Sequence, residues 1–160
     1  MYTGLRVGIS IAKGLAAGLG LPLLGVGRLE LDAYAHRAFP GVVLAVHRAG
    51  RGDLAWAAYA DDPWREIEPP QLFQPEVIAA KLEGPLLLAG EADETLAGAF
   101  ARAGKQTSII SGSASIRRAA TLAELGYARL SAAEPAEAAL VQAVYLRPPA
   151  IGPQTAAPSG

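Results

Sequence analysis

From Gly4 to Gly27 the chain carries Arg6, Ser10 and Lys13 as its sole polar side chains. So apolar an opening has to be covered by something, and this limits the folds open to the chain. Helical periodicity fits Thr3 to Leu19, with Thr3 placed as N-cap and Gly20 closing the C-terminus. At 100° per residue, Thr3, Arg6, Ser10 and Lys13 fall within about 80° of one another and make the whole polar stripe. A second face carries Gly4, Val7, Gly8, Ile11, Leu15 and Gly18, and a third carries Leu5, Ile9, Ala12 and Ala16. Interior glycines cost about 0.8–1 kcal/mol each relative to alanine. Keeping them suits the close approach of another backbone. Two apolar faces imply two neighbours: the chain's own sheet on one side and another helix on the other. The helix is then either buried on both sides within one domain or shared between its domain and a partner protein.

A membrane-spanning reading fails. Arg6 and Lys13 lie inside the stretch and Pro22 interrupts it, so no run of uncharged apolar residues is long enough to span. Lys13 also sits in the middle, where a signal peptide would carry its charges before the apolar core. The expectation is a buried helix of a soluble, cytoplasmic protein with no membrane contact. The chain has 160 residues, enough to bury roughly two-thirds of its unfolded surface. With 51% apolar and 18% charged residues it is not a disordered chain. The absence of cysteine excludes disulfides, thiolate metal sites and a cysteine nucleophile. Net charge is −1 with no basic run, so direct nucleic-acid binding by this chain alone is not expected.

Beyond the first helix, elements alternate. Pro22–Val26 reads as a short strand, Arg28 to Ala38 as a helix stopped by Pro40-Gly41, and Val42–Val46 as a buried strand. The Gly50-Arg51-Gly52-Asp53 turn returns Leu54–Tyr59 as a hairpin mate, with a third strand around Arg65–Glu68 after Asp61-Asp62-Pro63. Pro75 opens a helix ending at Gly84; Leu86–Ala89 is strand, Glu94–Ala103 helix and Thr107–Ile110 strand. Ser113 caps a helix from Ala114 to Leu125 with Gly126 past its end, Pro135 opens a last short helix, and Val144–Arg147 is extended. Residues 148–160 read as a flexible tail. The order implies an α/β fold in which a hairpin precedes βα units.

Several motifs resemble one family. Tyr2-Thr3-Gly4-Leu5-Arg6-Val7-Gly8-Ile9, followed by Ala12-Lys13-Gly14-Leu15-Ala16, is similar to the signature helix of the TsaB family. Pro22-Leu23-Leu24-Gly25-Val26 with Leu29-Glu30, the Val43-Leu44-Ala45-Val46 hairpin with Arg51-Gly52-Asp53 and Trp56, and Val144-Tyr145-Leu146-Arg147 extend the likeness to about residue 150. There are departures. Met1 stands where a serine precedes the motif, and Gly27 replaces an N-cap serine, a position where glycine is tolerated. Arg48, Gly50 and Ala143 stand where Asp, Arg and Pro are usual. The family's opening hairpin, its Ile-Asp-Thr segment and its first helix have no counterpart, so the resemblance implies an N-terminally truncated chain.

The resemblance implies a ribonuclease H-like α/β fold of the actin/sugar-kinase superfamily, with an incomplete first lobe and a complete second lobe. Residues 1–40 would be the remnant of the first lobe, holding interface helix, strand and inter-lobe helix, and residues 41–147 the second lobe. It further implies a non-catalytic scaffold subunit, without cofactor or metal, that pairs as a heterodimer with a TsaD-like threonylcarbamoyltransferase. That role supports threonylcarbamoyladenosine modification of tRNA next to the anticodon, with a TsaE-like ATPase and tRNA as indirect partners and a homodimer as a further possibility. The interface role carries over to Thr3, Leu5, Arg6, Gly8, Ile9, Ala12, Lys13 and Leu15. The competing readings are a nucleotide-binding enzyme of the same superfamily, phosphotransferase or peptidase-like, and an inactive gene fragment.

No other residue set rises to a site. His36 reads as a helix-surface residue and His47 as a strand-end residue, neither with metal-ligand spacing. Ser111-Gly112-Ser113-Ala114-Ser115 lacks the Lys and spacing of a phosphate loop and reads as capping. Asp61-Asp62 reads as a solvated turn and Asp93-Glu94 as a helix N-terminus rather than a Mg²⁺ grip. Trp56, Tyr59 and Trp64 read as core fillers of a strand pair rather than base-stacking platforms.

Overall fold

Leu44, Val46, Trp56 and Ala58 are sealed on one face of a sheet, while Val43, Ala45, Ala57 and Tyr59 are sealed on the other. That alternation follows from the two-residue period of a strand, and it demands cover on both faces. The computed structural model, which describes residues 2–49, 53–60 and 63–146, supplies that cover from helices on both sides. The expected tail at 148–160, Arg147, the turn residues Gly50 to Gly52 and Asp61-Asp62 lie outside the described residues.

Five strands form the sheet: β1 (Val42–Arg48), β2 (Leu54–Ala60), β3 (Arg65–Phe73), β4 (Leu86–Gly90) and β5 (Thr107–Ile109), in the order β3-β2-β1-β4-β5. β2 runs antiparallel to both β1 and β3, pairing Val46 with Trp56 and Val43 with Tyr59. β4 and β5 run parallel to β1, with Val42 opposite Leu86 and Leu86 opposite Thr107. Helices α3 (Pro75–Lys81) and α4 (Glu94–Arg102) contribute Ile78, Ala79, Leu96 and Phe100 to one core. On the opposite face α2 (Arg28–Tyr34) buries Leu29 and Ala33. Helix α5 (Ala119–Ser131) packs beside α2 through the buried Leu125.

Five expectations need correction. Pro22–Val26 forms no strand: Leu23 N–H finds only the carbonyl of Ala136 at 2.9 Å, and a strand needs a neighbour along its length. α2 ends at Tyr34 and turns continue to Ala38. β3 runs on through Pro69-Pro70 because it is an edge strand, where a missing N–H can face away from the ladder. After a 3-10 turn at Gly112–Ser115, α5 starts at Ala119 and passes through Gly126 to Ser131, so the glycine is an interior residue and not a stop. Val144–Leu146 is not part of any strand.

Candidate partner interface

Helix α1 (Tyr2–Leu19) closes as the sequence predicts, Gly20 adopting φ +64° and Leu21 N–H donating to the Ala16 carbonyl at 2.9 Å, but it already runs from Tyr2, so Thr3 is a helical residue and not the N-cap. Its surroundings differ from expectation. The described neighbour is not the sheet but residues 136–145, which include a 3-10 turn at Ala138–Leu140. Arg6 Nε–H donates to the Tyr145 hydroxyl at 3.3 Å with its guanidinium 5.6 Å from the ring centroid, and Lys13 Nζ donates to the Ala139 carbonyl at 3.4 Å. Arg6 and Lys13 of the polar stripe thus meet the rest of the chain. The physical reason is that the irregular segment below it presents carbonyl and hydroxyl oxygens, which Arg and Lys donors satisfy.

Of the eight residues assigned to the interface, Ile9, Ala12 and Lys13 are half-buried on this side, while Thr3, Leu5, Arg6, Gly8 and Leu15 are exposed. The face carrying Gly4, Val7, Gly8, Ile11, Leu15 and Gly18 is bare. Val7 is 51% exposed, Ile11 58%, Leu15 61% and Leu19 68%. A Cβ added at Gly4, Gly8, Gly14 or Gly18 would meet nothing within 4 Å. Nothing described in this chain uses the close approach those glycines allow. Val7, Ile11 and Leu19 were not in the assigned set. The helical wheel already put Val7 and Ile11 on the face of Gly8 and Leu15, so the signal was present.

A second constellation was not foreseen. His47, near the end of β1, is buried, and its Nε2 lies 3.1 Å from Asp32 Oδ2 of α2. Its Nδ1 lies 3.5 Å from Glu91 Oε1, just past the end of β4. Arg117 Nε reaches Asp32 Oδ1 at 2.7 Å, Arg28 pairs with Glu91, and Arg48 N–H donates to Glu91 Oε2 at 2.9 Å. The two ring nitrogens face two different carboxylates, which is not the geometry of a chelate. Burial works to raise the Glu91 carboxyl, but the Arg48 N–H and the Arg28 guanidinium outweigh it and hold it below the usual carboxylate range. No sequence spacing announces this network, because Asp32, His47, Glu91 and Arg117 meet only through the fold.

His36, expected on a helix surface, lies half-buried in the turns that follow α2. Asp93 caps α4, accepting from Leu96 N–H at 2.9 Å. Trp56 is fully buried in the core, and Trp64 stacks on Tyr59 with centroids 5.3 Å apart. Among the described residues no helix is long and apolar enough to cross a membrane.

Comparison with known proteins agrees with this architecture. Residues 1–147 match the family model described as TsaD, tRNA N6-adenosine threonylcarbamoyltransferase. The chain is 36% identical over 87 residues to the tRNA threonylcarbamoyladenosine biosynthesis protein TsaB of Escherichia coli strain K12, a match covering 51% of this chain and 38% of that protein. It is 38% identical over 58 residues to the Bacillus subtilis strain 168 protein of the same name, covering 36% of this chain and 25% of that one. The chain therefore spans well under half the length of the curated relatives it matches. Among solved structures, an uncharacterised protein with similarity to peptidase YeaZ, from Pseudomonas aeruginosa, superposes with a TM-score of 0.72 at 26% identity, over 92% of this chain and 69% of that one. YeaZ from the same organism gives 0.71 at 26% identity, over 91% and 69%. The fold is thus the ribonuclease H-like, actin-type α/β fold that the motifs implied. With the model covering nearly the whole chain and both named relatives called TsaB, the chain belongs to the TsaD domain family, in its TsaB group.

Proposed function

We propose that this chain acts as a non-catalytic scaffold subunit in the threonylcarbamoyladenosine modification of tRNA. It docks a TsaD-like threonylcarbamoyltransferase through α1 in a cytoplasmic heterodimer, with a TsaE-like ATPase and tRNA engaged indirectly. In this reading residues 41–146 belong to the second ribonuclease H-like lobe and residues 2–40 to the first. The observation that carries it is the bare glycine-and-aliphatic face of α1, with Val7, Ile11, Leu15 and Leu19 all more than half exposed around open space at Gly8. A contiguous apolar patch of that kind marks a contact surface. Small residues let two helix backbones approach closely. The names of the relatives support the pathway.

The non-catalytic part of the proposal draws support from the histidines. His47 is spent on Asp32 and Glu91, and burial pulls the His36 pKa down despite its contact with the Ala114 backbone and the charge of Asp32. Neither is arranged as a base beside a nucleophile.

The test is co-purification of the protein with a TsaD-like subunit. Pairing is expected for the wild type and its loss for Gly8→Leu, which fills the space a partner backbone would occupy. Undiminished pairing of Gly8→Leu would reject α1 as the docking surface.

A further inference from the structure

Between α2, the start of β3 and α5 lies a cavity of about 410 Å³, walled by Tyr34, Tyr59 and Trp64 and edged by Glu30, Glu66 and Arg129. We propose that this cavity binds a small organic cation, a primary amine carried on several methylene groups, whose ammonium sits between the Glu66 carboxylate and the Tyr59 hydroxyl. The inference stands apart from the scaffold role and does not depend on it.

Charge is the first argument. The lining sets three carboxylates, Glu30, Glu66 and Glu134, against the two guanidiniums of Arg65 and Arg129. Arg129 is committed, since it pairs with Glu30 and its Nε lies 3.6 Å from Glu134 Oε2. Arg65 turns to the Pro63 carbonyl at 3.5 Å. Glu66 forms no ion pair among the described residues, and it lies in the field of Glu30. Partial desolvation first, and the charge of Glu30 second, push its carboxyl above the usual range, the residue itself standing exposed at the edge of the cavity. An anionic ligand would have to take Arg129 from Glu30 and would then meet Glu66 unopposed. A cation meets neither obstacle.

The hydroxyl of Tyr59 is the second and independent argument. The residue is 3% exposed, yet its hydroxyl makes no hydrogen bond among the described residues. Tyr59 is the cross-strand partner of Glu66, and both residues line this cavity. A phenol oxygen with no protein partner at a cavity wall is available to accept from a ligand N–H. Burial, then Glu30 and Glu66, raise the phenol's pKa, so it stays neutral and keeps lone pairs for an N–H donor.

Third, the wall suits methylenes. Trp64 stacks on Tyr59 at 6° between ring planes and meets Tyr34 edge-on at 82°, so the three rings brace one another. The volume is that of an ordinary small-molecule site, and the aromatic faces attract a cation further.

The test is calorimetric titration of the 160-residue protein with cadaverine, with Nα-acetyl-lysine amide and with 1-pentanol, the last being a neutral chain of like shape. Saturable binding of an amine and none of pentanol is expected. Glu66→Gln and Tyr59→Phe should each weaken amine binding about tenfold while leaving the thermal melt cooperative. Tighter binding of cadaverine assigns the site to a free amine, and tighter binding of the lysine derivative to a side chain of a peptide. Either supports the proposal. Absence of saturation up to about 10 mM amine, pentanol binding as well as the amines, or unchanged affinity in both variants overturns it. Should a variant fail to melt cooperatively, the wild-type contrast between amine and pentanol decides.

Discussion

The imidazole Nε2 of His47 stands 3.1 Å from Asp32 Oδ2, with both side chains shut off from solvent. This contact ties α2 to the end of β1. Arg117 at 2.7 Å brings the segment before α5 to the same carboxylate, and Glu91 brings the end of β4 to the same ring. Removing one member leaves a charge buried without its partner, which is more costly than exchanging both for apolar groups. Asp32→Asn is therefore expected to lower stability by about 3 kcal/mol in urea denaturation. The double variant Asp32→Asn/His47→Asn should lose less than the sum of the single losses, by about 1 kcal/mol or more. Strict additivity would mean the two groups do not sense each other.

Acid should weaken the same corner through Glu91. Its folded pKa lies below the unfolded value, so its contribution is complete above the ordinary carboxylate range and fades as pH falls through the lowered value. The side chain is 40% exposed, which screens the pair and keeps the contribution at neutral pH below about 1 kcal/mol. Measured against wild type, Glu91→Gln should be less stable at pH 7, and the gap should close in acid below the carboxylate range. A gap that stays constant would mean that the charge plays no part.

Gly90 sits at the junction of the network and the sheet. Its φ is +82°, and an added Cβ would lie 2.5 Å from the Val46 carbonyl oxygen and 3.1 Å from Asp32 Oδ2. That carbonyl accepts from Glu91 N–H at 2.8 Å, so it cannot yield without breaking a bond. Gly90→Ala should cost about 2–3 kcal/mol, from left-handed backbone strain added to the clash. Thermal unfolding of the variant checks it, and a melt unchanged from wild type would contradict the local geometry.

What could be read from residue order alone was whatever rests on local periodicity. The continuous apolar run Val42 to Val46, the run Leu86 to Ala89 and the helix N-terminus at Asp93-Glu94 are all local signals, and each is found where it was expected. Pro22 to Val26 misled because its apolar composition fits a strand, but strand formation depends on a neighbour, which residue order does not disclose. Gly126 misled in the opposite way. A single glycine costs a helix only about 1 kcal/mol, and the buried Leu125 just before it fixes that turn against α2, so the helix continues to Ser131. The face of α1 left bare was written in the wheel of Gly8, Ile11 and Leu15. The network around His47 was not, because its members are far apart in sequence and meet only when β1, β4, α2 and the segment before α5 are assembled.

The glycines of α1 allow the docking role to be separated from plain stability. In the protein by itself, a methyl group at Gly8 or Gly14 meets nothing within 4 Å, and both positions lie inside a helix. Alanine there removes the backbone freedom that glycine retains when unfolded, so Gly14→Ala and Gly8→Ala should each stabilise the isolated protein by about 0.5–1 kcal/mol. If α1 seats a partner helix against its glycine face, Gly8→Ala should at the same time weaken pairing with a TsaD-like subunit, since the methyl occupies the contact. Gain in thermal stability and loss of affinity would then come from one substitution, and pairing can be followed by calorimetry beside the melt. A variant that gains stability and pairs as well as wild type would leave the helix without a docking role on that face.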